Sequence, residues 1–303
     1  NLTRGDLIHG IHLSYVRCGA DIIETNTFGA NRFSLAGYGL EEYVYDINLA
    51  AVEIARAAIE SFAQEGNGRP VFIAGVLGPT GKSASISPSV DDPSYREVAF
   101  DDFVAIYREQ IEALLDGGVD LILVETVFDT LVAKAALLAA SIVCEERNTE
   151  IPLMVSATFS DKSGRTLSGQ TLEAFIDTLS PYKLFSLGLN CSTGPQEMIP
   201  LIETLARHSP FLTSAHPNAG FPDRDGVYTQ TPAQLADLMT PLMEGGLLNI
   251  VGGCCGTTPA HIAALAHAAA NGTPRSKPEL FPILRLSGLE SLAPVPAGKL
   301  ITI

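Results

Sequence analysis

Seven stretches of the chain are apolar almost without a break: ADIIETNTF (20–28), VFIAGVLGP (71–79), VDLILVET (119–126), PLMVSATF (152–159), LFSLGLNC (184–191), FLTSAHPN (211–218) and LNIVGGCC (248–255). A strand with one face in water alternates apolar and polar residues, whereas a continuous run fits a strand covered on both faces, as in a parallel sheet. Between these runs the pattern shifts to the period of an amphipathic helix. It is clearest in YDINLAAVEIARAAIESFA (45–63), FDDFVAIYREQIEALLDGG (100–118) and TPAHIAALAHAAANG (258–272). The last has Thr258 as N-cap, Pro259 at the first helical position and Gly272 past the end, so its boundary signals agree.

Repeated strand–helix units predict an α/β fold, either an open doubly wound sheet or a closed barrel. No Gly-rich dinucleotide fingerprint follows any of the strands, which favours the barrel. Such a barrel needs eight strands, yet the chain opens on a helical stretch, TRGDLIHGIHLSYVRCG (3–19), with seven strand-like runs behind it. The expectation is a (β/α)8 TIM barrel over residues 1–272 whose first strand lies upstream of Asn1. Beyond it, residues 273–298 are proline-rich and carry neither period, which reads as a linker or surface strap. KLITI (299–303) reads as the start of a strand in a following domain.

Composition narrows the function. Of 303 residues, 46% are apolar and 17% charged, a globular balance. A formal net charge of -15 argues against nucleic acid, whose phosphates demand a basic face. No apolar run is long enough to cross a bilayer. Five cysteines, an odd number in a chain with room for a full core, do not form a disulfide framework and suit a reducing, cytoplasmic location.

In a barrel of this class the functional rim lies at the C-terminal ends of the strands. The runs above bring Glu24, Thr25, Asn26 and Thr27, then Glu125 and Thr126, Asn190 and Cys191, His216 and Asn218, and finally Cys254 and Cys255 to that rim. Free cysteines usually pack as small apolar residues, and Cys18 and Cys144, on helical stretches, fit that role. The adjacent pair is different, because Gly252, Gly253 and Gly256 strip side chains from the backbone around it, as a sharp turn or close approach requires. A disulfide between neighbours would need a strained ring. Three thiolates make a zinc site with one tetrahedral position open, the pattern of a catalytic centre. His216 or Asn218 could equally close it as a structural site, and spacing alone leaves both readings standing. A zinc with three thiolates is a poor Lewis acid and is better suited to holding an incoming thiol as a nucleophilic thiolate, which points to alkylation of sulfur.

GLNCSTGP (188–195) and VGGCCGTTPAHI (251–262) resemble the zinc-binding signatures of the homocysteine S-methyltransferases. GADIIETNTF (19–28), GVLGPTGKSASISPSVDDP (75–93), DLILVETVFDTLVAKAA (120–136), SGRTLSGQT (163–171) and TSAHPNAG (213–220) extend the likeness, within that family, to the homocysteine-binding module of the cobalamin-dependent methionine synthases. RLSGLE (285–290) and the LITI end resemble the passage from that module into a folate-binding barrel. The resemblance implies that Cys191, Cys254 and Cys255 bind Zn2+, that Asn218 fills the fourth position in the absence of substrate, and that Glu125 receives the amino group of homocysteine. Asn26 and Thr27 line the same rim as substrate contacts, although an Asn–Thr pair after a strand also forms turns. It further implies methylcobalamin, recharged from methyltetrahydrofolate, as methyl donor, held by folate-, cobalamin- and activation-type domains of the same polypeptide. Two alternatives stand beside it. One is a cobalamin-independent zinc methyltransferase with a small sulfonium or betaine donor, against which SASISPSVDDP and the tail count; the other is a zinc-stabilised binding domain without turnover. The family's first strand, with an Asp-Gly start and a glycine-rich loop that help hold the amino acid, has no counterpart in these residues.

Overall fold

The computed structural model describes residues 1–66, 68–160, 163–279 and 283–293. Among them, seven parallel strands form one sheet in strict chain order: β1 (Ile22–Glu24), β2 (Phe72–Leu77), β3 (Leu121–Val127), β4 (Leu153–Ala157), β5 (Ser186–Asn190), β6 (Leu212–His216) and β7 (Ile250–Val251). The helices are α1 (Gly5–Arg17), α2 (Arg32–Ala36), α3 (Val44–Gln64), α4 (Phe100–Gly117), α5 (Thr130–Glu146), α6 (Leu172–Leu179), α7 (Pro195–His208), α8 (Pro232–Glu244) and α9 (Pro259–Ala269). A doubly wound sheet reverses strand order at a switch point; this one never does. The sheet curls instead, and α1 meets α9 on the outside, where the Tyr15 hydroxyl donates to the Thr257 carbonyl at 3.1 Å. β1 and β7 remain edges, so the fold is a TIM-type barrel with seven of its eight strands.

Two layers of packing explain the unbroken apolar runs. Alternate residues of each strand face opposite sides. Ile73, Leu77, Ile122, Val124 and Val155 pack outward under the helices in the main core. Ala74, Val76, Leu121, Leu123 and Met154 form a second, smaller cluster inside the barrel, joined by Ile22 and Ile250. Continuing the alternation past Leu121 and Leu123 turns Glu125 inward, and continuing it from Ile22 turns Glu24 inward. The barrel interior therefore has an apolar floor and an acidic mouth.

Boundaries differ from the sequence expectation where glycines, local turns or side-chain bonds to backbone redirect the chain. The run at 248–255 yields only a two-residue strand, because Gly252 and Gly253 let the chain leave the sheet before the cysteines. The run at 20–28 ends at Glu24: the Thr27 N–H turns back to the Thr25 carbonyl at 2.8 Å. In the region read as a linker, the buried guanidinium of Arg275 donates to the carbonyls of Ala206, Phe211 and Ser209 at 2.8, 2.8 and 2.7 Å. A short antiparallel hairpin follows, β8 (Leu286–Ser287) and β9 (Ser291–Leu292). It docks on α6 through Thr178 Oγ1 to Ser287 Oγ at 2.8 Å and the Thr171 N–H to the Leu289 carbonyl at 3.0 Å. This part of the tail is strapped to the barrel wall. Residues 294–303, with the predicted start of a further domain, lie outside the described residues.

Candidate metal centre and barrel rim

The three rim cysteines converge. Their sulfurs lie within 4.8 Å of one another, with 3.7 Å from Cys191 to Cys255 and 4.0 Å from Cys254 to Cys255. Bonds of ~2.3 Å from zinc to each sulfur in a tetrahedron require sulfurs separated by roughly 3.8 Å, so the residues present fit the ion. The backbone sets this up at a cost. Cys191 and Ser192 both lie in the left-handed region, at φ 61° and 62°, which costs about 1–3 kcal/mol for each non-glycine residue and persists only where surroundings over-determine it. Those surroundings are the Cys191 N–H on the His216 carbonyl at 3.1 Å, and Ser192 Oγ against Thr158 Oγ1 at 2.5 Å. On the other side, the Cys254 N–H donates to the Pro217 carbonyl at 2.9 Å, and both the N–H and hydroxyl of Thr257 close on the Cys254 carbonyl. Gly256, at φ 78°, has Tyr228 packed where a Cβ would stand. That contact accounts for the last of the glycines around the pair.

Asn218 ties the two halves of the cluster together. Its Oδ1 accepts the Cys255 N–H at 3.1 Å, and its side chain also hydrogen-bonds Cys191. Cys191 is the first of the three to give up its proton. The Cys254 thiol, the Ser192 N–H, Cys255 and Asn218 bring it to about 5; the hydrogen bond to Cys191, with burial and the Cys191 charge, raises Cys254, and burial followed by the Cys191 charge raises Cys255. His216 is buried and neutral, its pKa lowered to about 4 by desolvation. It faces Gly252 and is outside the group of sulfurs that lie mutually within ligating distance.

Glu125 is buried at the end of β3. Burial first, then the charges of Glu24 and Cys191, raise its carboxyl to about 9. Glu24, on the edge strand and in contact with solvent, is raised too by the protein around it. The pair forms the mouth of the barrel interior, with both carboxyls shifted toward the protonated form. Asn26 and Thr27 occupy the adjoining rim. Thr27 is committed to structure, donating to the Val76 carbonyl at 2.8 Å with Thr25 Oγ1 at 2.7 Å. The side chain of Asn26 is exposed and donates to Asn1 at 3.2 Å.

Sequence reading missed two contributors. Tyr228 reaches the cluster from the 217–231 loop and hydrogen-bonds Cys255; only the constraint at Gly256 hints at it. Asp129, the N-cap of α5, accepts from Ser83 Oγ, the N–H and Oγ of Ser85, and the Ala84 N–H, at 2.6–2.9 Å, pinning the SASIS segment to the start of α5. Asn190, which the sequence already places on the rim, is buried and bonds Thr126, the residue after Glu125. Cys18 and Cys144 are half-buried near the ends of α1 and α5, outside the sulfur cluster.

A curled parallel barrel with a thiol triad on its catalytic rim is the architecture of a thiol-handling transferase. The sequence profile of the homocysteine S-methyltransferase family matches residues 1–269, and the chain belongs to that family; it is a methyltransferase acting on homocysteine. Among solved structures, it is similar to the oxidized form of homocysteine methyltransferase MmuM from Escherichia coli, at 27% identity and a TM-score of 0.72 over 88% of this chain and 85% of that one. The metallated form of the same protein matches at 28% identity and a TM-score of 0.71, with the same coverage. Among the described residues no helix is long and apolar enough to cross a membrane.

Proposed function

We propose that the chain transfers a methyl group to the thiol of homocysteine by a zinc-dependent route, giving methionine. The observation that carries this reading is the convergence of Cys191, Cys254 and Cys255 on the rim whose interior also holds the buried Glu125. Zinc on the three thiolates would supply a fourth position at which the substrate thiol is held deprotonated near neutral pH. The chain's own residues do the rest. Asn218 fixes Cys255 and Cys191 relative to each other, and it is the residue that would occupy the fourth position in the absence of substrate. Glu125 receives the ammonium group, which draws off the proton that burial keeps on the carboxyl. Asn26 and Thr27 close the rim beside the substrate. Held at both ends, the thiolate is aligned for attack on the methyl carbon, the gain that orientation brings to any displacement. The S–C bond forms as the bond from methyl to donor breaks. The neutral thioether that results is a weaker ligand and leaves.

For the donor we assign methylcobalamin, recharged from methyltetrahydrofolate and carried by folate-, cobalamin- and activation-type domains of the same polypeptide. The support is the run of motifs from GVLGPTGKSASISPSVDDP to RLSGLE. A reducing cytoplasm suits the free triad. The deciding experiment is zinc X-ray absorption with and without homocysteine, paired with methionine formation from methylcobalamin or a small sulfonium. A shell that changes from three sulfurs and one light atom to four sulfurs supports the transferase reading. An unchanged shell with homocysteine bound makes the zinc structural. Methionine formed from the sulfonium alone replaces the donor and leaves the acceptor reading intact.

A further inference from the structure

We infer that Asn190 is a positioning residue that locks the strand end bearing Glu125 in register with the zinc ligand Cys191, so that the groups receiving the ammonium and the thiol of one substrate stand at a set separation. The inference rests on the reading above, in which Glu125 takes the amino group.

Asn190 is the last residue of β5 and has no solvent contact. Its Oδ1 accepts the Thr126 N–H at 3.0 Å and its Nδ2 donates to Thr126 Oγ1 at 2.8 Å. Since β4 lies between β3 and β5, this clasp reaches across a whole strand on the inner face of the sheet. What it grips is unusual. Thr126 directly follows Glu125 and adopts φ 57°, a left-handed conformation rare for a β-branched residue. The β3–β4 register shifts between Val124 and Val127, a bulge, and bulges re-aim side chains at strand ends. A bulged N–H loses its ladder partner, and here the partner is supplied by Asn190. The same residue immediately precedes Cys191, whose own backbone is left-handed. One buried amide thus joins two strained strand ends, one carrying the carboxyl and the other a metal ligand. The neutral amide meets the Thr126 N–H with its oxygen and the Thr126 hydroxyl with its NH2 without burying a charge, whereas leucine offers neither group.

The test uses zinc-loaded protein and calorimetric titration with two thiols, homocysteine and its des-amino analogue 4-mercaptobutanoate. With Asn190→Ala, homocysteine affinity falls about 10-fold, in the range typical of lost outer-shell support, while 4-mercaptobutanoate affinity and zinc content stay as in the parent protein. Thr126→Val, which keeps the shape but removes the acceptor of Nδ2, shifts homocysteine in the same direction by a smaller factor. If Asn190→Ala does not fold, this variant decides. Equal weakening of both thiols, loss of zinc, or no change in either variant overturns the inference. Glu125→Gln separates it from its premise: if that variant binds homocysteine as tightly as the parent, the assignment of the amino group to Glu125 fails and the role of Asn190 fails with it. If it weakens homocysteine selectively and Asn190→Ala does not, only the Asn190 role is lost.

Discussion

Glu125 and Cys191 pull the pH behaviour of the site in opposite directions. The Glu125 carboxyl is raised to about 9 from the ordinary 4.5, so between these values the folded chain holds a proton that the unfolded chain releases. The sign follows: its unfavourable contribution is absent below about 4.5 and grows as pH rises toward 9, so this group by itself lowers stability across that window. Cys191, lowered to about 5 from 9.0, acts in the opposite sense over the same window, so the expected outcome is read as a difference: metal-free Glu125→Gln gains melting temperature relative to the metal-free parent as pH rises from about 5 to about 9. Binding works the other way, since an arriving ammonium stabilises the carboxylate. Calorimetry of homocysteine binding in buffers of different ionisation enthalpy should therefore show about one proton fewer released by Glu125→Gln than by the parent. Asn218 gives a second prediction at this scale. Its Oδ1 orients Cys255 and its side chain touches Cys191, and losing such outer support typically weakens metal binding about 10–100-fold. Asn218→Ala should show that loss in a chelator competition while keeping the fold.

The strands set the rim by how closely they approach and where they stop. Gly188 on β5 faces Ser214 on β6, with the serine side chain where a Cβ would be and its carbonyl at 2.7 Å. Gly188→Ala would force the sheet apart two residues before Asn190, and overpacking of this kind costs about 1–3 kcal/mol. Thermal unfolding should register it, with reduced zinc affinity alongside because Cys191 shares the strand end. The strap after α9 carries a separate anchor in Arg275. Arg275→Ala leaves three carbonyls without their donor, and each buried unsatisfied group costs about 1–3 kcal/mol. The expectation is a lower melting temperature with zinc content unchanged, a split that assigns the strap to stability and the rim to chemistry. The helices were legible because their period is local: 45–63 became Val44–Gln64 and 100–118 became Phe100–Gly117. Strand ends were not, because they depend on bonds such as Thr27 to Val76 that join distant parts of the chain.

At the scale of the molecule, the cluster is a staple. It joins the loop after β5 to the loop after β7, across β6, beside the open edge of the sheet. A ligand that binds only the folded chain stabilises it by RT ln(1 + [L]/Kd), about 4 kcal/mol at a thousandfold excess of free metal over Kd. Removing zinc with a chelator should lower the unfolding temperature by several degrees, and Cys254→Ala protein should melt at the lower temperature whether or not zinc is present. The net charge of -15 adds to the carboxyls of Glu24 and Glu125 at the barrel mouth and favours cationic over anionic ligands.

By itself the sequence determined the class of fold and the chemistry on offer. Unbroken apolar runs at strand–helix spacing require a parallel sheet covered on both faces, and GLNC with GGCC supplies three thiols at strand ends. These are local or periodic features, so they survive without coordinates. Only the tertiary structure decided that the three sulfurs meet, that Glu125 shares an interior with Glu24, that Tyr228 and Asp129 flank the rim, and that Asn190 clasps Thr126 across a strand. Each of those facts is a contact between residues tens of positions apart, set by the curl of the sheet and by backbone strain that no periodicity encodes.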